Sequence, residues 1–296
     1  DDDLFPYYQF SVKDYFDEVS NSNIVIDGDI SSVSEWILMP ESYSYYVNGE
    51  QGLGQNELEK SGKSALVHAL SNSNIDLSNC DGDFDGVCDV IILVMEGWTS
   101  GTSNHFWSFK GSLVPGEAHQ IDPTSPTNEN NELIYNGKII RHFIVTTEQI
   151  YQTDNDYELY NQGDLRPIGT ICHELGHILG LPDLYDTSEN AAPGIGDWGL
   201  MGSGNWNNQT SPSRPCAWSL SQLGIIEPFE VESFMNDELL VIEPIHNGGE
   251  IYKLNIGEDY LGEFLLLENR RAAGFDAFLK EEGLFIWHVD ERLIST

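Results

Sequence analysis

Residues 173–183 read HELGHILGLPD, and this stretch decides how the rest of the chain is interpreted. Residues four apart on a helix share one face, so the side chains of His173 and His177 can both reach one metal ion about 2 Å away. Glu174 projects beside them and is the predicted general base. The stretch therefore predicts a helix that supplies two ligands of a zinc site.

The third zinc ligand has to come from outside this helix. Gly180 lets the chain turn sharply, because glycine readily takes a left-handed backbone conformation, and Asp183 then reaches the metal from below. Asp186 and Asp197 stay open as alternatives, whereas Glu189 lies in a poor context for the downstream helix it would need. Three protein ligands and one open position are typical of a catalytic zinc, where a water with its pKa lowered towards about 7 could attack a polarised carbonyl.

A buried helix with two hydrogen-bonded histidines is the alternative interpretation of this stretch. It leaves Gly176 and Gly180 unexplained, since a glycine costs a helix interior about 1 kcal/mol relative to alanine. We therefore favour the zinc site.

The composition excludes several classes of protein. The chain has 296 residues, long enough for one large domain or two smaller ones with a real core, and 13 Lys+Arg against 49 Asp+Glu give a net charge of −36. Such an excess repels phosphate backbones, and the only adjacent basic pair is Arg270 and Arg271, so no nucleic-acid partner is expected. The longest apolar run, residues 90–95, is far shorter than the roughly 20 residues that span a bilayer, so no membrane insertion is expected.

The two ends of the sequence do not resemble natural ends. The chain begins with three aspartates and carries neither an initiator methionine nor a signal peptide, which predicts a processed or trimmed chain. It stops at Thr296 in the middle of ordinary sequence, so further parts downstream are expected. Low lysine with abundant Asp, Asn, Ser and Gly fits secretion or a saline habitat, and composition does not separate the two.

Apolar periodicity predicts a mixed succession of helices and strands. Helices are predicted over residues 56–70 and from Arg166-Pro167 to Leu179. Strands are predicted at residues 23–27, 33–38, 90–95 and 138–146. The run at 90–95 is unbroken, as expected for a strand buried on both faces.

The same pattern suggests a division into three parts. Residues 1–180 are expected to form an upper catalytic subdomain, residues 181–230 an irregular lower subdomain, and residues 231–296 a β-rich C-terminal portion. Residues 111–137, rich in Pro, Asn and Gly, are expected to be an exposed loop.

A second candidate metal site lies in an Asp-rich loop. Its proposed calcium ligands are Asp81, Asp83, Asp85, the carbonyl of Val87, and Asp89. Clustered oxygens at alternate positions suit a hard cation, but Ile92 replaces the bidentate glutamate expected at the twelfth position, so the loop is not an EF-hand. A solvated acidic turn is the alternative.

Four cysteines are an even number, which fits an oxidising compartment and allows three pairings. Cys80 and Cys88 bracket the Asp-rich loop and could close it with a disulfide bond, and Cys172 could form a second disulfide with Cys216. Spacing alone establishes neither bond, and four reduced thiols stay the alternative.

The extended HELGHILGLPD string resembles the metzincin zinc signature in its aspartate form, and the chain resembles the immune inhibitor A family of secreted bacterial metallopeptidases. Further strings that carry the resemblance are VIILVMEG after the Asp-rich loop, GIGDWGLMGSGNW, LLLENR, GFDAFL and LFIWHVDE. Together these strings span about residues 76–291.

The resemblance implies an α/β (α+β) fold of the metzincin-like zincin type, with a twisted mixed sheet, an active-site helix and an irregular lower subdomain. Met201 then corresponds to the methionine of the Met-turn beneath the zinc. Some metzincins place a tyrosine two residues later, where this chain has Ser203, so the donor to the oxyanion stays open and Tyr185 is a candidate. The resemblance also strengthens the calcium assignment.

The sequence thus predicts a secreted zinc endopeptidase that hydrolyses internal peptide bonds of proteins or peptides through a zinc-activated water, with Glu174 as general base. A catalytically inactive, calcium-stabilised binding module or adhesin on the same scaffold is the first alternative, and another zinc hydrolase such as an amidase is the second. The presence of Glu174 and of all three proposed ligands favours an active enzyme. The sequence gives neither the oligomeric state nor the cleavage specificity.

Overall fold

A computed structural model describes residues 11–28, 32–99, 102–150, 165–187, 192–207, 211–231, 241–256 and 262–293. The chain divides into two compact units. The first comprises Asp1–Ile26 and Ile168–Thr296, and the second comprises Asp27–Pro167. The three-part division at residues 180 and 230 stays a prediction.

The described residues form helices and strands in a mixed order. The α-helices are α1 (Val12–Val19), α2 (Tyr43–Val47), α3 (Gly62–Ser71), α4 (Glu117–Ile121), α5 (Gly169–Ile178) and α6 (Ala217–Gln222). The strands are β1 (Ile91–Thr99), β2 (Phe109–Ser112), β3 (Ile134–Tyr135), β4 (Lys138–Ile139), β5 (His142–Ile150), β6 (Phe229–Glu230), β7 (Tyr252–Asn255), β8 (Glu263–Arg270) and β9 (Gly283–Asp290). The prediction of a mixed α and β fold is confirmed, while its metzincin-like details stay a prediction. No helix in the described ranges combines the length and apolarity needed to cross a bilayer.

The second unit is built on a three-stranded sheet of order β1-β5-β2, in which β1 is parallel and β2 antiparallel to the central β5. Phe143, Ile144 and Val145 of β5 are fully buried. In β1, by contrast, Ile92 and Val94 are 39% and 44% exposed. The prediction that residues 90–95 are buried on both faces is therefore wrong, because that pattern belongs to the central strand rather than to β1.

Two predicted elements have different boundaries in the structure. Helix α3 begins at Gly62 rather than at residue 56, because the Ser61 side chain caps it by accepting a hydrogen bond from the Ser64 amide. The predicted strand 138–146 is two strands, because the chain changes its pairing partner between β4 and β5. Strand β4 pairs with β3, and the Ile140 amide still donates to the Leu133 carbonyl, whereas β5 pairs with β1 and β2.

Three other sequence expectations need correction. Residues 111–137 are not a plain loop, because they contain the end of β2, helix α4 and strand β3. Residues 23–27 form no strand in the described part of the chain, and neither do the described residues of 33–38, although their apolar pattern fits one. Strand formation needs a hydrogen-bonding partner as well as the pattern.

The first unit contains α1, α5, α6 and a four-stranded sheet of order β6-β7-β8-β9. Strands β7, β8 and β9 are antiparallel, and β6 pairs with β7 in parallel. Along β8, buried and partly buried residues alternate, so one face of the sheet, including Phe264 and Leu266, packs into the interior. The predicted β-rich portion of the chain corresponds to this sheet.

Candidate metal centre

The helix of the HELGH motif, α5, runs from Gly169 to Ile178. It starts later than predicted, because Leu165 forms an isolated bridge with Gln149 and the Arg166 amide donates to the Glu148 carbonyl. Residues 165–166 therefore belong to the edge of a sheet, and Pro167 precedes the helix instead of opening it.

The end of α5 turns the chain back under the helix. The Gly180 amide donates to the His177 carbonyl (3.1 Å) and the Leu181 amide to the Gly176 carbonyl (2.9 Å), which is the Schellman pattern. Gly180 has φ +98°, a conformation that glycine adopts without the strain imposed by a side chain. The predicted turn is thus present, and it brings Asp183 back to the helix.

Three side chains converge below α5. Asp183 Oδ1 lies 3.2 Å from His173 Nε2 and 3.3 Å from His177 Nε2. His173 is 5% exposed, whereas the side chains of His177 and Asp183 are 21% and 25% exposed, so the cluster is reached from solvent. The structure therefore brings together the three residues that the sequence selected as zinc ligands.

Both imidazole rings are oriented by backbone carbonyls. His173 Nδ1 lies 2.9 Å from the Leu200 carbonyl oxygen, and His177 Nδ1 lies 2.8 Å from that of Leu181. A carbonyl oxygen only accepts, so each Nδ1 carries the proton and, in a neutral ring, each Nε2 keeps its lone pair. The lone pairs face Asp183.

These atoms fit a zinc ion. Asp183 Oδ1 is buried and has no hydrogen-bond partner among the described residues, so it and the two Nε2 lone pairs form a group of acceptors with no described donor between them. Ligands at about 2 Å in a tetrahedron lie roughly 3.3 Å apart, which matches the two measured separations. Two imidazoles and one carboxylate are also a ligand set that zinc takes in catalytic sites.

The electrostatics point the same way. Burial raises the pKa of Asp183, but the two imidazoles, when protonated on Nε2, lower it by more, so that its pKa lies well below the ordinary range. Burial lowers the pKa of His177, yet contacts with Asp183 and with the Leu181 carbonyl raise it overall. A cluster of this kind favours a positive charge at its centre.

Met201 lies directly beneath α5. It is fully buried, and a Cβ added at Gly176 would lie 2.5 Å from its sulfur, so only glycine fits at that helix position. The Leu184 amide donates to the Met201 carbonyl (2.8 Å), which ties the methionine to the segment that carries Asp183. Gly176, unexplained by helix propensity, is explained by this close approach.

Glu174 and Tyr185 are the remaining polar side chains of the sequence prediction near the cluster. Glu174 is 7% exposed. The Tyr185 ring lies parallel to the His173 ring with centroids 6.4 Å apart. Burial, Asp183 and Glu174 together raise the pKa of Tyr185 to about 12. Ser203 opens the short 3-10 helix Ser203–Trp206.

The alternative third ligands are not part of the cluster. Asp197 forms an ion pair with Lys280, and Asp186 does not belong to the group of described ligand atoms that Asp183 completes. Glu189 lies outside the described residues.

The Asp-rich loop also gathers carboxylates, but its members already have partners. Oxygens of Asp81, Asp83 and Asp89 lie within 4.8 Å of one another. Lys138 Nζ lies 2.7 Å from Asp81 Oδ2, and Asp85 Oδ1 accepts from the Val87 amide (2.7 Å) instead of joining this group. Calcium binding here stays a prediction.

The disulfide bonding agrees with the suggested pairing for one pair of cysteines and differs from it for the other. Cys80 and Cys88 form a disulfide that closes the Asp-rich loop. Cys172 and Cys216 are both buried free thiols, so the suggested bond between them is absent. Their surroundings differ, since Cys216 Sγ contacts the Ser219 hydroxyl on α6, whereas Cys172 lies within α5.

Sequence reasoning missed the groups that orient the histidines. The Leu200 and Leu181 carbonyls are backbone atoms, which a pattern of side chains does not reveal. The only hint was the glycine-rich string GIGDWGLMGSGNW, which places close backbone approaches around Leu200.

Comparison with known proteins identifies relatives of this chain. Residues 145–224 match the family model described as immune inhibitor A peptidase M6, catalytic domain. Immune inhibitor A of Bacillus thuringiensis subsp. alesti is 24% identical over 231 residues, which are 70% of this chain and 30% of that protein. Pre-pro-metalloprotease PrtV of Vibrio cholerae serotype O1 (strain M66-2) is 24% identical over 234 residues, which are 71% of this chain and 22% of that protein.

The chain spans less than a third of the length of these curated relatives. The matched segment includes α5, Asp183 and Met201. The resemblance predicted from the sequence is therefore confirmed: residues 145–224 are similar to the catalytic domain of the immune inhibitor A peptidase M6 family, and one of the two relatives is named a metalloprotease.

Proposed function

We propose that this chain is the catalytic part of a secreted zinc endopeptidase that cleaves internal peptide bonds of proteins. The observation that carries the proposal is the convergence of two Nε2 lone pairs on a buried carboxylate oxygen, Asp183 Oδ1, to which no described residue donates a hydrogen bond. His173, His177 and Asp183 hold the zinc. When bound, zinc polarises the carbonyl of the scissile bond and makes a water acidic enough to act as a nucleophile at neutral pH.

Glu174 acts as the general base and then as the general acid. It follows His173 on α5, and its negative charge contributes to the raised pKa of both His177 and Tyr185. It accepts a proton from the attacking water and passes it to the amine that leaves.

Tyr185 is the proposed hydrogen-bond donor to the oxyanion. Its ring packs along His173 and the side chain is 38% exposed, so that the hydroxyl can meet both the cluster and a substrate. With its pKa raised to about 12, the hydroxyl keeps its proton at every pH at which the enzyme is expected to work. A donor already in place stabilises the developing charge without reorganisation.

The metzincin-like arrangement and the extracellular location belong to the same proposal. Support for the first comes from Met201, whose thioether packs under α5 at the position expected for a Met-turn. Support for the second comes from the Cys80–Cys88 disulfide, since such bonds persist in oxidising compartments. The word pre-pro in the name of the Vibrio relative fits the same location.

Digestion of casein or gelatin by the purified chain, with and without a zinc chelator, tests the activity. We expect cleavage that stops when zinc is removed and returns when zinc is added. Glu174→Gln should keep the zinc content, measured by atomic absorption, and lower the rate at least about a hundredfold, because a general base contributes that much or more.

Glu230→Gln is the matched control, since Glu230 lies on the exposed strand β6 outside the cluster. It should retain full activity. Zinc bound with no cleavage by the unaltered chain would favour the inactive binding module, and cleavage of small amides without proteins would favour an amidase. Equal rates for Glu174→Gln and the unaltered chain would refute the role of Glu174.

A further inference from the structure

A buried network of charged side chains lies beside the backbone segment that orients His173. Arg270 is fully buried at the end of β8, and Asp276 is 1% exposed. Neither residue contacts the three proposed zinc ligands directly. Besides pairing with each other, they contact the backbone of Trp198 and Arg214, on either side of Leu200 and Met201.

The guanidinium of Arg270 joins two backbone carbonyls. Its Nη1 donates to the Trp198 carbonyl, and its Nη2 lies 3.5 Å from the Arg214 carbonyl oxygen. The Arg214 carbonyl also accepts from the Leu200 amide (3.3 Å). One side chain therefore fixes the backbone two residues before Leu200 as well as the backbone at Arg214, to which Leu200 is bonded.

Asp276 holds that guanidinium in place. Its Oδ2 accepts from Arg270 Nε (2.9 Å), and its Oδ1 accepts from Arg270 Nη2 and from the Arg214 amide (3.0 Å). The planar fork of arginine matches a carboxylate with two parallel bonds, which gives a fixed direction as well as attraction. Lysine offers a single point charge and cannot reproduce this arrangement.

Arg214 offers a contrast within the same network. Its side chain is equally buried, but it turns towards α1, where Nη1 lies 3.1 Å from Glu18 Oε1 and Nη2 lies 3.3 Å from the Val19 carbonyl oxygen. Only the main chain of Arg214 takes part in holding residues 198–200. Its side chain thus shares the burial and charge of Arg270 but not the contact with that segment.

Buried ion pairs are poor evidence of a stabilising role, because well-packed apolar residues often give equal or greater stability. A geometric role explains better why a full set of charged partners surrounds this segment. We propose that Arg270, oriented by Asp276, is a positioning residue for the metal centre. By fixing the carbonyls of Trp198 and Arg214 it sets the place of the Leu200 carbonyl, and so the orientation of the His173 ring. This inference rests on the proposed zinc function.

The test compares Arg270→Lys with Arg214→Lys in the full chain. Zinc affinity is measured by competition with a chromophoric chelator, and the ligand field by the visible spectrum of the cobalt-substituted protein. We expect Arg270→Lys to weaken zinc binding by roughly 10–100-fold, the range found when a group that orients a metal ligand is altered. The cobalt spectrum should shift, and kcat should fall with little change in KM.

Arg214→Lys should leave the zinc affinity and the cobalt spectrum unchanged, even if both variants lower Tm. Equal zinc affinity in both variants and the unaltered chain, or equal losses in both, would overturn the proposal. If Arg270→Lys does not fold, Asp276→Asn against Glu18→Gln provides the same comparison. Failure of the unaltered chain to bind zinc would instead refute the proposed function itself.

Discussion

The two clusters of candidate metal ligands differ in what their atoms already bind. Below α5, both Nδ1 atoms lie against backbone carbonyls, while within the described part of the chain the facing Nε2 atoms and Asp183 Oδ1 have only each other as neighbours. In the Asp-rich loop, Asp81 takes a hydrogen bond from Lys138 and others from the amides of Asp85 and Gly86. Among the described residues, no lysine or arginine pairs with the first cluster, whereas Lys138 pairs with the second.

This difference shows how two clusters of potential metal ligands can be compared as candidate metal sites. Three side chains with ligand atoms within 4.8 Å of one another occur in both places, so proximity alone does not separate them. The distinguishing feature is the set of lone pairs left over after every local hydrogen bond has been made. By that measure the structure favours zinc below α5 more strongly than it favours calcium in the loop.

The largest expected effect comes from removing one carboxylate in each cluster. Asp183→Asn should weaken zinc binding by at least about a hundredfold and abolish proteolysis, because a direct ligand contributes no less than the groups that orient it. Asp83→Asn, an equally small change in the exposed part of the loop, should leave zinc content and proteolysis unaltered. Equilibrium dialysis and casein digestion measure both. Normal zinc binding by Asp183→Asn would show that Asp183 is not a ligand.

The sequence predicted the parts of the site that depend on local rules. Helical spacing places His173 beside His177, and Gly180 ends the helix with a positive φ, so that Asp183 could be selected from three candidate aspartates. These steps span residues 173–183 and need no knowledge of the rest of the chain.

The parts that escaped prediction depend on contacts between distant residues. Leu200 orients His173 from 27 residues away, and Lys138 neutralises Asp81 from 57 residues away. Arg270 was visible only as half of a basic pair. The fold follows the same rule: the alternation along β1 and the break between β4 and β5 reflect partners that a single run of apolar residues does not specify.

An intermediate effect is expected at the glycines of the two clusters. Gly176→Ala would place a Cβ 2.5 Å from the Met201 sulfur and should lower the free energy of unfolding by about 1–3 kcal/mol, the usual cost of overpacking. At Gly86, with φ +90° and no heavy atom within 4 Å of the added Cβ, the cost is conformational alone, about 1 kcal/mol.

Urea denaturation of the two variants measures this difference. Adding Met201→Ala to Gly176→Ala removes the clash, so the double variant should lose less stability than the sum of the single changes. Simple additivity would show that the packing of Met201 against α5 is not what requires glycine at this position.

The smallest effect concerns the cation that the Asp-rich loop already contains. The hydrogen bond from Lys138, followed by that from the Gly86 amide, lowers the pKa of Asp81 below its ordinary value of 3.8. A carboxyl whose pKa is lower in the folded protein contributes stability above its ordinary pKa and loses it as the pH falls through the lowered value. Lys138→Gln should therefore lower Tm by a few degrees at most at neutral pH, and the difference from the unaltered chain should vanish once the pH falls below the lowered pKa of Asp81.

The same variant tests whether Lys138 stands where calcium would bind. With the lysine charge removed, added calcium should raise Tm more in Lys138→Gln than in the unaltered chain, because the carboxylates then lack a competing cation. Lys63→Gln is the control, since Lys63 pairs with Glu117 elsewhere in the same unit. If calcium raises Tm equally in all three proteins, Lys138 does not compete for the loop. The contrast between the two clusters would then rest on the hydrogen bonds of the zinc site alone.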